Sequence, residues 1–246
     1  MHAVILAAGA ARRLAPLTDR TPKCLLPVGD RPLVVRMLEA LASVGVKETV
    51  LVVGHCADQV RAAAGDQRGA MRITYVDNPD YTRGSAISLY AARAHLGAPT
   101  LVMDADVLFP RELLRRLVDA AAPTVCLIDR SFEDTGEEVK YYTRGDRVIA
   151  LGKKVVPESW EQVGEGVGFF RCDGEAGREL VTLLEQVIGE GDGLNEYEDA
   201  LHLLAGRRPV GWIDVTGLPW TEIDFAEDLH RARTEVLPHV VKLDGG

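Results

Sequence analysis

The chain is 246 residues long, 47% apolar and formally −9 at neutral pH, with 37 acidic against 28 basic residues. That length fits one large domain or two small ones, with one expected and enough apolar residues for a substantial core, and the acidic balance argues against a general nucleic-acid or anionic-membrane surface, since such surfaces are normally basic. Cys24, Cys56, Cys126 and Cys172 are far apart and form no C-x-x-C set, which argues for reduced thiols in a cytoplasmic protein over a disulfide framework or a zinc site. Neither a cleavable signal nor an uncharged apolar span of membrane length is read in the sequence.

Ala3 to Ala8 is a short uncharged apolar run, long enough for a strand buried on both faces and too short for a helix. A turn of small residues follows, Ala7-Ala8-Gly9-Ala10-Ala11, then Arg12 and Arg13, a loop punctuated by Pro16 and Pro22, and Lys23. Small side chains let backbone N–H groups approach a ligand, and the cations beyond them can neutralise a polyphosphate. Tight strand-to-helix packing with solvated cations would explain the same residues. Neither G-x-G-x-x-G nor G-x-x-x-x-G-K-[ST] stands at this point. Pro32 with Val34, Met37, Leu38, Leu41 and Val44 predicts an amphipathic helix stopped at Gly45. Glu48 to Val53 predicts a strand, His55 to Ala64 a helix ended by Gly65, and Met71 to Val76 a strand running into Asp77-Asn78-Pro79-Asp80. This alternation is that of a parallel sheet with right-handed crossovers, whose ligands collect at the carboxyl ends of the strands.

Thr82-Arg83-Gly84-Ser85 leads into a helix predicted over Ala86 to Leu96, with Ser85 as its N-cap. The strand Thr100 to Met103 ends in Asp104-Ala105-Asp106. Side chains two apart on a strand share a face, so both carboxylates can project from one sheet edge and suit a hard cation such as Mg²⁺; a turn before Pro110 would use an aspartate as well. Arg111 to Ala121 predicts a helix and Pro123 to Ile128 a strand. Val139 to Arg144 and Arg147 to Leu151 flank Gly145-Asp146 in a hairpin pattern. Val163 to Arg171 is a further strand punctuated by Gly164, Gly166 and Gly168. These segments read as an antiparallel extension, because no linker composition sets them apart. Lys140, Lys153 and Lys154 lie in this region, where edge-strand lysines commonly protect against aggregation. Arg178 to Ile188 predicts a helix on Leu180, Leu183, Leu184 and Val187. Asn195 to Leu201 starts another, with Glu196, Glu198 and Asp199 placed as the helix dipole favours. Pro209 to Val215 is the last strand, and Asp224 with Glu227 is spaced to cap a terminal helix.

The ordered motifs resemble those of the nucleotidyltransferases that activate small phosphorylated metabolites. The opening motif of that family, L-A-A-G-x-G-x-R-L followed by P-K, is matched by Leu6, Ala7, Ala8, Gly9, Arg13, Leu14, Pro22 and Lys23. Ala11 stands where the motif has its second glycine, a departure that costs about 1–2 kcal/mol where φ must be positive. The resemblance continues through Asn78, Tyr81, Ser88 and Leu89, the D-A-D-V-L-F run containing Asp106, and the closing E-I-D-F-A-E-D-L containing Asp224, and it spans essentially the whole chain. Within the superfamily the sequence is most similar to cytidylyltransferases acting on phosphocholine, inositol phosphate or phosphonates.

The resemblance implies an α/β fold: a mainly parallel mixed sheet flanked by helices, Rossmann-like, with a small antiparallel acceptor-side extension. Residues 1–130 would form the nucleotide-binding core, 131–215 the extension, and 216–246 a closing segment with a metal carboxylate and a terminal helix, all within a single domain. It implies that Leu6, Ala7, Ala8, Gly9, Arg13, Lys23, Gly84, Ser85 and Asp104 surround the nucleotide, and that Lys140, Lys153, Tyr197 and Glu198 meet the acceptor. Asp106 and Asp224 would hold Mg²⁺ and, with Arg13 and Lys23, carry the chemistry. The implied reaction moves CMP from CTP to the phosphate or phosphonate of a small metabolite and releases pyrophosphate, with no nucleic-acid or membrane partner and a homodimer left open. Trp160, Tyr197, Trp212 and Trp220 offer parts of a cage for a quaternary ammonium, and each is equally explained as core. Two other readings stay open: a sugar-1-phosphate nucleotidylyltransferase using another nucleoside triphosphate, and a module that senses a nucleotide without turning it over.

Overall fold

Uncharged apolar runs become strands, because a strand covered on both faces has no position for a solvated side chain. In the computed structural model, which describes residues 1–190 and 195–245, the strands of the main sheet, some largely apolar and others carrying charged residues, are β1 (His2–Ala7), β2 (Glu48–Val53), β3 (Gln67–Arg68), β4 (Met71–Asp77), β5 (Thr100–Asp104), β6 (Val125–Asp129), β7 (Lys140–Arg144), β8 (Arg147–Gly152), β9 (Gln162–Cys172) and β10 (Gly211–Asp214). All ten lie in one sheet of order β7-β8-β10-β6-β9-β5-β1-β2-β4-β3. The half built from β5, β1, β2 and β4 is parallel, with Val4 opposite both Val50 and Val102. The other half is largely antiparallel, so the fold is a mixed α/β sheet with the antiparallel extension continuous with the parallel core.

Helices cover both faces. On one face α1 (Leu33–Ser43), α2 (Ala57–Ala64) and α4 (Arg111–Asp119) bury Met37, Leu38, Val60, Leu113 and Leu117 against Ile5 and Leu51. On the other, α3 (Ser85–Ala91), α5 (Gly174–Glu190) and α6 (Tyr197–Arg207) bury Leu89, Leu180, Leu184 and Leu201 against Val4 and Val102. Each fully buried aliphatic side chain contributes about 1.5–3 kcal/mol of transfer free energy. A third cluster joins Leu14 and Leu26 of the opening loop to Leu108, Ile223, Leu229 and Val240. It docks the terminal helices α7 (Ala226–Arg231) and α8 (Leu237–Leu243) beside the start of the chain. Among the described residues, no helix is long and apolar enough to cross a membrane, and the four cysteines are free.

Three expectations change in ways that affect the site. The helix expected to run to Leu96 ends at Ala91, where 3₁₀-type bonds from His95 N–H to Ala92 O (2.9 Å) and Leu96 N–H to Arg93 O (3.2 Å) tighten the chain and turn Leu96 into the core. Ser85 is not the N-cap: Gly84 precedes the helix at φ +97°, packed against the Asn195 backbone, and Ser85 already lies within it. Asp224 and Glu227 do not form the terminal cap. The carboxylate of Asp228 accepts the N–H groups of Asp224 (3.1 Å) and Phe225 (2.8 Å), which leaves the Asp224 side chain free for other partners.

Candidate active site

Two backbone devices bring distant residues to the carboxyl edge of β1 and β5. The loop after β1 folds back on itself: His55 N–H donates to Ala8 O (2.9 Å) and the Thr18 hydroxyl to Ala11 O (2.8 Å), with Ala11 in the left-handed region at φ +46°. A 3₁₀ turn, Lys23–Leu25, follows Pro22 and aims Lys23 under that loop. On the other side, Val107–Leu108 pairs antiparallel with Thr221–Glu222, and Ile223 N–H donates to Asp106 O at 3.1 Å. This ribbon lays Asp224 beside Asp106 although they are far apart in sequence.

The result is a compact charge cluster. Lys23 Nζ lies 2.6 Å from Asp106 Oδ2 and 2.7 Å from Asp224 Oδ1, and Arg13 donates to Asp224 Oδ2 at 2.6 Å and to Glu137 Oε2 at 3.2 Å. The Arg13 guanidinium also stands over the Phe225 ring, 5.0 Å from its centroid. Oxygens of Asp106, Glu222 and Asp224 all lie within 4.8 Å of one another. Burial opposes the Lys23 charge, but Asp106, Asp224 and Glu222 together hold its pKa above the ordinary lysine value. Burial likewise disfavours the Asp224 carboxylate, yet Lys23 and Arg13 hold its pKa below the usual range. Glu222 reaches solvent at the cleft floor, but protein atoms crowd its carboxyl; that burial, with Asp106 and Asp224 close by, pushes it up to about 8. Asp104 is raised well above the carboxylate range, first by burial and then by Asp106 and Glu198, while the Tyr197 hydroxyl donates to its Oδ2 at 2.8 Å.

The set fits a hard divalent cation. Three carboxylates converge, an ammonium already bridges two of them, and Asp106 Oδ1 is buried without a hydrogen-bond partner. A buried oxygen of this kind calls for a positively charged or hydrogen-bonding neighbour.

Two cavities meet at the cluster. The smaller, about 330 Å³, is lined by Leu6, Ala7, Ala8, Gly9, Gly84 and Ser85, and the larger, about 630 Å³, by Lys153, Tyr197, Glu198 and Trp220. Arg13, Lys23, Asp104, Asp106 and Asp224 face both. Of the residues expected from sequence, Lys140 lines neither cavity; its ammonium pairs with Asp134 at 3.0 Å. Lys153 lies 3.8 Å from Glu137, which therefore touches both Lys153 and Arg13. The four aromatics do not form one cage. Trp160 stacks edge-on against Tyr142 and Trp212 donates to Gly145 O, leaving Tyr197 and Trp220 in the larger cavity.

Sequence reasoning missed three acids. Glu222 sits two positions before Asp224, the same spacing that drew attention to Asp104 and Asp106, so its signal was present. Glu196 accepts from Ser85 N–H at 3.1 Å and from the Ser85 hydroxyl at 2.5 Å, tying the starts of α3 and α6 together. Glu137 carries no sequence signal, being one of several acids in an irregular stretch.

A family model described as the MobA-like NTP transferase domain matches residues 3–162. CMP-5'-(3-aminopropyl)phosphonate synthase of Streptomyces rubellomurinus is 42% identical, over 94% of this chain and 38% of that protein. The bifunctional IPC transferase and DIPP synthase of Rubrobacter xylanophilus is 32% identical, over 96% of this chain and 52% of that protein. The chain thus spans about half or less of the length of these curated relatives. Among solved structures, that of the inositol-1-phosphate CTP transferase from T. maritima aligns over 100% of this chain and 96% of that one with a TM-score of 0.79 at 21% identity, a likeness of fold.

Proposed function

The chain belongs to the MobA-like NTP transferase family, and from that premise we propose that it transfers CMP from CTP to the phosphate or phosphonate of a small metabolite. The observation that carries this reading is the Lys23 ammonium bonded to both Asp106 and Asp224 where the two cavities meet. One cavity suits a nucleotide, the other a small acceptor, and the cationic groups sit between them. The 42% identity to a protein named for a CMP-phosphonate product supports cytidine as the donor base and a phosphonate among the acceptors.

An acceptor oxygen attacks the α-phosphorus of CTP; the new P–O bond forms as the bond from that phosphorus to the bridging oxygen breaks, and pyrophosphate leaves with that oxygen. At neutral pH the attacking oxygen is already anionic, so no residue has to remove a proton. The protein's task is to bring two anions together and to stabilise the charge that develops. The small-residue loop admits the triphosphate closely, while Arg13 and Lys23 neutralise the departing pyrophosphate. Each such charge-assisted bond contributes about 1.5–3 kcal/mol. Tyr197 holds Asp104 through its hydroxyl, and Lys153 offers a cation to the acceptor's phosphate or phosphonate. Asp106, Asp224 and Glu222 would hold Mg²⁺, which when bound would supply Lewis-acid polarisation and orientation of the phosphate oxygens.

The test is pyrophosphate release from each nucleoside triphosphate with Mg²⁺ and a panel of phosphorylated alcohols and alkylphosphonates. CTP with a phosphonate or polyol phosphate is the expected pair. Turnover confined to dTTP or UTP with a sugar 1-phosphate would replace this reading with the sugar one. Nucleotide binding without pyrophosphate from any pair would replace it with a sensing role.

A further inference from the structure

We infer that Lys23 is the resident counter-cation of the Asp106–Asp224 pair and gives up that place only when divalent ion and nucleotide arrive together, so that the ion alone binds poorly. The inference rests on the nucleotidyltransferase reading above. Lys23 Nζ bonds Asp106 Oδ2 at 2.6 Å and Asp224 Oδ1 at 2.7 Å, and both carboxylates belong to the three whose oxygens converge. An ammonium at those distances and a divalent ion compete for the same oxygens, and two cations a few ångströms apart repel strongly in a partly buried cleft.

The anchoring lets the tip move and keeps the base still. Lys23 opens a 3₁₀ turn behind Pro22, and the next side chain, Cys24, is buried in the core. Its ammonium rides on a flexible four-carbon stem. Lys23 also lines the smaller cavity, so an incoming triphosphate presents acceptor oxygens within the reach of that stem. Arg13 does not bridge the pair: of the two aspartates it bonds Asp224, its fork being shared with Glu137 and its guanidinium carbon standing 5.0 Å from the Phe225 ring centroid. Glu222 makes no ion pair among the described residues and is the one carboxylate of the three that Lys23 leaves unclaimed.

Lys23 thus has two partners in turn, carboxylates first and phosphate oxygens second. The exchange couples ion binding to nucleotide binding without any movement of the backbone. It also keeps the three carboxylates from recruiting an ion when no substrate is present.

The experiment titrates Mn²⁺ into wild type, Lys23→Met and Lys23→Arg, first with no nucleotide and then in a second series with CTP present, and reads bound against free ion by electron paramagnetic resonance. Without nucleotide, Lys23→Met is expected to bind Mn²⁺ about ten-fold tighter or more, while Lys23→Arg, which keeps the charge, stays near wild type. Lys23→Gln is expected to tighten binding as Lys23→Met does, and serves if the methionine variant fails to fold. The inference is overturned if wild type and both neutral variants bind Mn²⁺ equally. If none of them binds Mn²⁺, with or without CTP, the cation site is absent and the nucleotidyltransferase reading fails with it.

Discussion

Ala11 occupies the left-handed region at φ +46°, ψ +52°, where an L-residue with a Cβ is strained and glycine is not. Two bonds hold it there, Thr18 Oγ1 to Ala11 O and Leu14 N–H to the same oxygen. Ala11→Gly should therefore stabilise the protein, by about 1 kcal/mol once the extra freedom of glycine in the unfolded chain is subtracted; a lower midpoint in urea would contradict this account of the loop. In the proposed reaction, Asp106 is the residue on which the chemistry turns. Asp106→Ala should lower pyrophosphate release by about a hundred-fold or more while the circular dichroism spectrum stays that of wild type, because the side chain contacts the Lys23 ammonium at the cleft and not the core. Wild-type turnover in that variant would remove the assignment. At Gly168, φ is +77° and an added Cβ would come 2.5 Å from Asp104 Oδ2. Gly168→Ala should therefore displace Asp104 from Tyr197 and lower both stability and turnover.

At the level of elements, capping and pairing decide where Asp224 points. Asp228 accepts the N–H groups of Asp224 and Phe225 at the start of α7, so Asp228→Ala should cost about 0.5–2 kcal/mol of stability and loosen Asp224. Turnover should then need more Mg²⁺ for half saturation, and an unchanged Mg²⁺ requirement would separate the cap from the site. The elements themselves were largely legible. β2 falls on Glu48–Val53 as its apolar run predicts, and the hairpin of β7 and β8 turns at Gly145, whose φ is +57°. Legibility failed where tertiary contacts override local preference. Ser85 looks like a cap in sequence, yet the docking of α6 gives its hydroxyl to Glu196. Lys140 reads as an acceptor ligand, yet the irregular stretch before it folds Asp134 back onto its ammonium, a contact that no periodicity encodes. Asp106 stands out by its spacing to Asp104, but Asp224 can be joined to it from sequence only through the resemblance, because the ribbon that brings them together is two residues long on each side.

Across the whole molecule, the cleft concentrates carboxyl groups that favour their protonated form. Burial and neighbouring acids push Glu222 and Glu198 up to about 8 and Glu165 to about 7. A carboxyl whose folded pKa exceeds its unfolded value of about 4.3 binds its proton more tightly when folded, so these groups lower stability as pH rises through that window. Asp224 runs the opposite way: its depressed pKa contributes stability above the unfolded value, lost as pH falls through the folded one. The melting temperature should accordingly fall between about pH 6 and about pH 8.5, and Mg²⁺ added together with CTP should raise it more at the upper pH, where the carboxylates are ionised. Scanning calorimetry checks both, and a flat profile would mean that these acids do not share one cleft. The ribbon between Val107–Leu108 and Thr221–Glu222 has a consequence for the order of synthesis. Asp106 and the small-residue turn after β1 are synthesised more than a hundred residues before Glu222 and Asp224, so the three carboxylates cannot converge until the Thr221–Glu222 strand has been made. A product cleaved between Val215 and Thr221 and stripped of the downstream fragment would keep one carboxylate of the three, and under the proposed function would lose the transfer.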